Sequence, residues 1–154
     1  MQTTNMGEQN ITDRRSGSAG IGEKLVAERA EMLVRFCQAA GLEPFHKEAD
    51  ESKARQHLQD FCQVLMDYIA AGHFGLYERI ASGKERRQGV AALAEELYPR
   101  IAETTDIAVA FNDKYDCGDE GDISPSIGKD LSRLGEELAV RAELEDQLLR
   151  AMAR

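Results

Sequence analysis

Apolar positions recur every three and four residues along most of this chain, the spacing of helices packed on one side. The first run begins near Ile21, with Leu25, Arg29, Met32, Leu33, Phe36 and Cys37 in register. Gly41 suits a C-terminal cap, and Pro44 prevents continuation. A second helix is expected from Ser52 to Gly72, with Asp50-Glu51 favourable at its N-terminus. On a helical wheel Leu58, Phe61, Cys62, Leu65, Tyr68, Ile69 and Gly72 share a face, with Asp60, Gln63, Asp67 and Ala71 opposite. Gly72 then breaks or kinks the run, and Phe74 to Ser82 forms a further short helix. A third long segment spans Val90 to about Tyr115, with Leu93, Leu97, Ile101, Ile107, Ala108 and Phe111 periodic. Pro99 within it predicts a kink or a fresh start. The last helix runs from Lys129 almost to the C-terminus along Leu131, Leu134, Leu138, Ala142, Leu149 and Met152.

Strand alternation is not evident. The expectation is all-α: an antiparallel up-and-down bundle of about four long helices, one broken after Gly72. Residues 1–20 are polar, lack periodicity and read as a disordered tail; residues 21–154 read as a single helical domain.

Charge changes the picture in one respect. A net charge of −9 disfavours nucleic acid as a partner and steers the chain toward basic surfaces, although many soluble proteins are acidic for solubility alone. The segments lack the apolar run of a membrane span or a secretory leader, so a cytoplasmic location is expected. Cys37, Cys62 and Cys117 read as reduced, structural cysteines.

Candidate chemistry is sparse. The loop Asp116-Cys-Gly-Asp-Glu-Gly-Asp-Ile123 invites a calcium reading, but its third position is Gly118 and its twelfth is Ile127, so the bidentate carboxylate is missing. His46, His57 and His73 lack metal-ligand spacing, and phosphate loops and nucleophile elbows are absent. No catalytic residue, metal or cofactor is expected. Glu145 is the anomaly: it falls on the stripe of Leu138, Ala142 and Leu149, where an unpaired carboxylate would be costly. His73, Arg79 or Tyr77 from the break are its candidate partners, in a polar cross-link that fixes the break's geometry. The competing expectation places Glu145 at the stripe's edge, in water.

Two blocks carry a family resemblance. Leu58-Gln-Asp-Phe-Cys-Gln-Val-Leu-Met-Asp-Tyr-Ile-Ala-Ala-Gly-His-Phe-Gly-Leu-Tyr-Glu-Arg-Ile80 and Leu131-Ser-Arg-Leu-Gly-Glu-Glu-Leu-Ala-Val-Arg-Ala-Glu-Leu-Glu-Asp-Gln-Leu-Leu149 resemble, in order, segments of the Rsd/AlgQ anti-sigma factors. Met32 to Pro44 and Leu97-Tyr-Pro-Arg-Ile101 are similar to further parts of that family. The family's early Asp-Arg-Trp has no tryptophan counterpart at Gly22-Glu-Lys-Leu-Val26. The resemblance implies an all-α bundle without enzymatic activity. It also implies binding to the primary sigma factor of RNA polymerase, chiefly its C-terminal promoter-reading domain, with the protein a monomer in that complex. The implied setting is the stationary-phase redistribution of polymerase among sigma factors, with alginate control in some members. By family motif and wheel position Asp67 is the foremost candidate contact, flanked by Asp60 and Gln63, with Phe74 an apolar anchor. A ligand- or metal-binding bundle with a cavity near His73, Tyr77 and Glu145, or an adaptor for another basic protein, is the competing reading.

Overall fold

A computed structural model describes residues 6–81, 88–116 and 123–153, with side chains from residue 20 onward except that of residue 88. The residues of the calcium-like loop at 117–122, Cys117 among them, and the ends of the expected segments at 1–5 and Ser82 lie outside the described residues.

Helix α1 (Met6–Ala40) starts well before the apolar pattern does, and among its described side chains Leu25 and Met32, two positions of that pattern, are buried. Leu33, expected in the same stripe, stands 45% exposed; it lies about 80° round from Leu25 at 100° per residue, beyond the packed sector. The helix stops at Gly41, where φ is +69° and an added Cβ would meet the Lys47 backbone at 2.9 Å. The Leu42 amide donates to the Cys37 carbonyl and the Gly41 amide to Gln38, the pairing that satisfies the last carbonyls of a glycine-capped helix.

Helix α2 (Glu51–Ala70) is capped by Asp50, whose Oδ1 accepts from the amides of Ser52 and Lys53 at 2.9 and 3.4 Å. Such a cap contributes about 1 kcal/mol. Its buried residues are the expected set, from Leu58 to Ile69. Beyond Ala70 the chain does not leave helical geometry. It passes through a seven-residue π-helical segment, Ala71–Tyr77, into α3 (Glu78–Ala81). The break expected after Gly72 is therefore a widened turn with one additional residue.

Helix α4 (Gln88–Tyr115) runs continuously through Pro99. Proline removes one backbone donor and crowds the preceding turn, and here neither ends the helix. Helix α5 (Ile127–Ala153) buries Leu131, Leu134, Leu138, Arg141, Glu145, Leu148 and Met152, alternating steps of three and four.

Packing closes these elements into a ring: α1 lies against α2 and α5, and α4 lies against the same two helices. Edge-on contacts of Phe36 with Phe61 (5.6 Å) and of Phe61 with Phe111 (5.8 Å) tie α1, α2 and α4 together across the core. No strand is found among the described residues, and no described helix is long and apolar enough to cross a membrane.

Candidate functional site

Helix α2 and the π segment present two faces, and each carries a polar arrangement. On the outward face, Asp67 and Gln63 are exposed and Asp60 is half-buried. The Gln63 side-chain amide donates to Asp67 at 3.3 Å, and Gln56 donates to Asp60 at 2.9 Å. These four-residue spacings stack donor over acceptor along one helix row. Phe74 lies on the π segment, 68% exposed, with its ring edge-on to His73 at 4.8 Å.

Asp67 and Phe74 share a groove. It has a volume of about 470 Å³ and lies between the middle of α1, which supplies Ile21, Lys24 and Glu28, and the end of α2 with the π segment. Asp67, Ala70, Ala71, Phe74 and Gly75 form its second wall. Asp60 and Gln63 do not line it; they continue the same helix row away from its mouth. An exposed carboxylate and an unburied aromatic ring on one wall suit a partner that brings a cation and an apolar side chain together.

The inward face holds a buried polar network around Glu145, itself fully buried. The hydroxyl of Tyr68 donates to Oε1 in a short hydrogen bond, and the hydroxyl of Tyr77 donates to Oε2 at 3.2 Å. One helical turn before Glu145, Arg141 donates through Nε to Oε2 at 3.2 Å and through Nη1 to the hydroxyls of Thr104 and Thr105 at 3.1 and 2.6 Å. Its guanidinium also lies over both tyrosine rings, 5.5 Å from Tyr68 and 5.7 Å from Tyr77. From α1, Arg29 approaches Oε1 at 3.5 Å and pairs with Asp146 at 2.8 Å. Elements α1, α2, the π segment, α4 and α5 thus meet on one ion pair.

Burial dominates the proton chemistry here. It raises the Tyr68 and Tyr77 hydroxyls far above the ordinary phenol range, and the negative Glu145 adds to the effect. Arg29 is shifted upward despite its partial burial, because Asp146 and Glu145 favour its charge.

Two of the expected Glu145 partners are not in this network. His73 faces solvent against Phe74, and Arg79 is half-buried two residues beyond Tyr77. Tyr77 does reach the carboxylate. Tyr68 and Arg141 were not anticipated as partners, although Arg141 keeps the three-and-four spacing of the buried stripe and stands four residues from Glu145. That pairing was the available signal. Lys24 and Glu28 carry no such signal, because only the tertiary fold brings them opposite Asp67. Where the competing reading expects a ligand cavity, the Tyr77 hydroxyl and the Arg141 guanidinium both bond directly to the Glu145 carboxylate. Among the described residues no cluster of three or more His, Cys, Asp or Glu side chains could hold a metal ion.

The profile of the family described as "Regulator of RNA polymerase sigma(70) subunit, Rsd/AlgQ" matches residues 6–153. The chain belongs to the Rsd/AlgQ family. Relatives named "Regulator of sigma D" come from Yersinia pseudotuberculosis serotype O:1b (strain IP 31758), Yersinia enterocolitica serotype O:8 and Shigella boydii serotype 4. The first is 32% identical over 143 residues, covering 92% of this chain and 84% of the relative. The second is also 32% identical over 143 residues, with 92% and 85% covered. The third is 34% identical over 141 residues, with 91% and 88% covered. Both the Asp67 groove and the Glu145 network fall inside the matched region of this Rsd/AlgQ member.

Proposed function

We propose that this protein is an anti-sigma regulator that binds the primary sigma factor of bacterial RNA polymerase, chiefly its C-terminal promoter-reading domain, and withholds it from core polymerase. Membership of a family of sigma(70) regulators supports the partner. The observation that carries the site is the shared wall of Asp67 and Phe74 in one open groove on a bundle of net charge −9. Promoter-reading helix-turn-helix modules expose cations that meet phosphate. A negatively charged bundle occupying those cations excludes DNA from them. The reading needs no bond-making chemistry: the protein acts in the cytoplasm by occupancy, as a monomer in the complex, without cofactor or metal. The packed unit that does this begins near residue 21, and the segment before it acts as a tail.

In a salt-dependent pull-down against purified primary sigma and its isolated C-terminal domain, capture should weaken as salt rises. Asp67→Ala should weaken binding by more than ~1 kcal/mol and leave thermal unfolding nearly unchanged. Equal losses of binding and stability would place Asp67 in the fold instead. Absence of capture in dilute buffer would overturn the reading.

A further inference from the structure

Nine positions separate Tyr68 from Tyr77. At about 100° per residue, side chains nine apart stand about 180° apart, on opposite sides of an α-helix. Yet both hydroxyls donate to the same carboxylate, one to each oxygen. The π segment reconciles these facts. Each residue in its wider turn advances less than in an α-helix, and seven such residues bring Tyr77 back toward the side that Tyr68 faces. Glu145 can bind both tyrosines only while this turn is widened.

The widened turn also leaves no spare room beneath it. A Cβ on Gly72 would lie 3.2 Å from Arg141 Nη2, 3.2 Å from Tyr77 Cε2 and 3.4 Å from Glu145 Oε2. A side chain here would be tight, and the Arg141 guanidinium or the Tyr77 ring would have to give way by a few tenths of an ångström. On the opposite side of the same turn stands Phe74, on the groove wall with Asp67. Its direction relative to Asp67 depends on how many π-type steps intervene.

We propose that Glu145 and Arg141 are positioning residues for partner recognition: by binding Tyr68 and Tyr77 together they hold Ala71–Tyr77 in the π register, and that register aims Phe74 at the groove. The inference rests on the sigma-binding reading above. Without the network the turn relaxes to ordinary α-helix, in which Phe74, seven residues on, would rotate to within about 20° of the Asp67 row and so lose the direction that the π register gives it on the groove wall.

The decisive variant is Arg141→Leu combined with Glu145→Leu, since apolar replacement of a whole buried ion pair commonly preserves the fold. Tyr77→Phe is the milder companion, removing one hydroxyl without unpairing the charges. Both are to be made in the full chain and checked for a cooperative thermal transition. Nuclear Overhauser contacts and amide exchange across residues 71–77 then distinguish i→i+5 from i→i+4 bonding. Sigma affinity is measured for each variant with and without Phe74→Ala. The expected result is loss of the i→i+5 pattern in the double variant and an affinity lower by about tenfold. In the Phe74→Ala background the further loss should shrink to under roughly threefold, because network and ring act as one unit. Full affinity in the double variant, or losses that multiply independently with that of Phe74→Ala, would overturn the proposal. A wild-type chain that ignores sigma would sink the functional reading. The register comparison then stands alone, and an unchanged π pattern without the network overturns the positioning role. If the double variant fails to fold, Tyr77→Phe decides on the same measurements.

Discussion

Two carboxylates at opposite ends of α5 are held by nearly the same chemistry in different surroundings. Asp130, in its first turn, accepts from the Tyr115 hydroxyl in a short hydrogen bond and from Lys114 Nζ at 2.8 Å. Ser126 completes that cluster. Glu145 accepts from two tyrosines and Arg141. The Lys114–Asp130 side chains are 48% and 30% exposed, those of Arg141–Glu145 1% and 0%. Water already solvates the first pair, so its members lose little when parted. The second pair has no water to fall back on, and each member depends on the other. Burial, more than the inventory of bonds, separates a surface clasp from an element that dictates backbone register.

Breaking the inner pair should produce the largest effect. Glu145→Ala leaves the Arg141 cation buried with only threonine hydroxyls and ring faces as partners. A loss of about 3–5 kcal/mol is expected for an orphaned buried charge, read as a shift in the urea midpoint. A loss below about 1 kcal/mol would mean that water enters the site and that the contrast between the two ends is false.

The same contrast explains what could be read from residue order. The inward face of α2, its Asp50 cap and the Gly41 stop are decided within a few neighbours, and they are found where the periodicity puts them. Glu145 announced itself as a carboxylate in an apolar stripe, and Tyr77 was among its anticipated partners. The π segment was legible only as trouble at Gly72. Its support comes from residues on α5 far along the chain, and local spacing cannot show that two tyrosines nine apart converge. His73 and Arg79 are expected partners of Glu145 because both belong to the break after α2, but the widened turn sends His73 outward. Asp67 could be placed on the outer row of α2, whereas the opposite wall of its groove belongs to α1 and has no signature of its own.

A smaller effect comes from alkali. Tyr68 and Tyr77 keep their protons in the fold well past the point where a free phenol loses its own, because burial and the Glu145 charge oppose the phenolate. Unfolded chains release these protons near pH 10. The stabilisation is therefore complete below that point and declines above it, as the unfolded state binds fewer protons than the fold. Each tyrosine should contribute a fall of about 1.4 kcal/mol per pH unit above pH 10. Thermal unfolding between pH 9 and 11.5 would measure it. Tyr77→Phe should make the decline shallower by one tyrosine's share. An equal slope in the variant would show that Tyr77 titrates in the fold as an open phenol does.

The outer clasp supplies the smallest effect and the sharpest check on the argument from burial. Lys114 and the Tyr115 hydroxyl hold the Asp130 carboxyl below the ordinary carboxylate range. A lowered carboxyl stabilises the fold above the unfolded value near pH 4 and loses that contribution as pH falls further. The exposure of both charges keeps the contribution small, and salt screens it. Asp130→Asn should therefore shift the melting temperature by no more than about 2 °C at neutral pH, with the difference from the parent chain narrowing in high salt and below pH 4. It should leave sigma capture untouched, because Asp130 does not line the Asp67 groove. A destabilisation as large as that of Glu145→Ala would show that the Tyr115 hydrogen bond, common in kind to both clusters, governs their strength, and that burial does not.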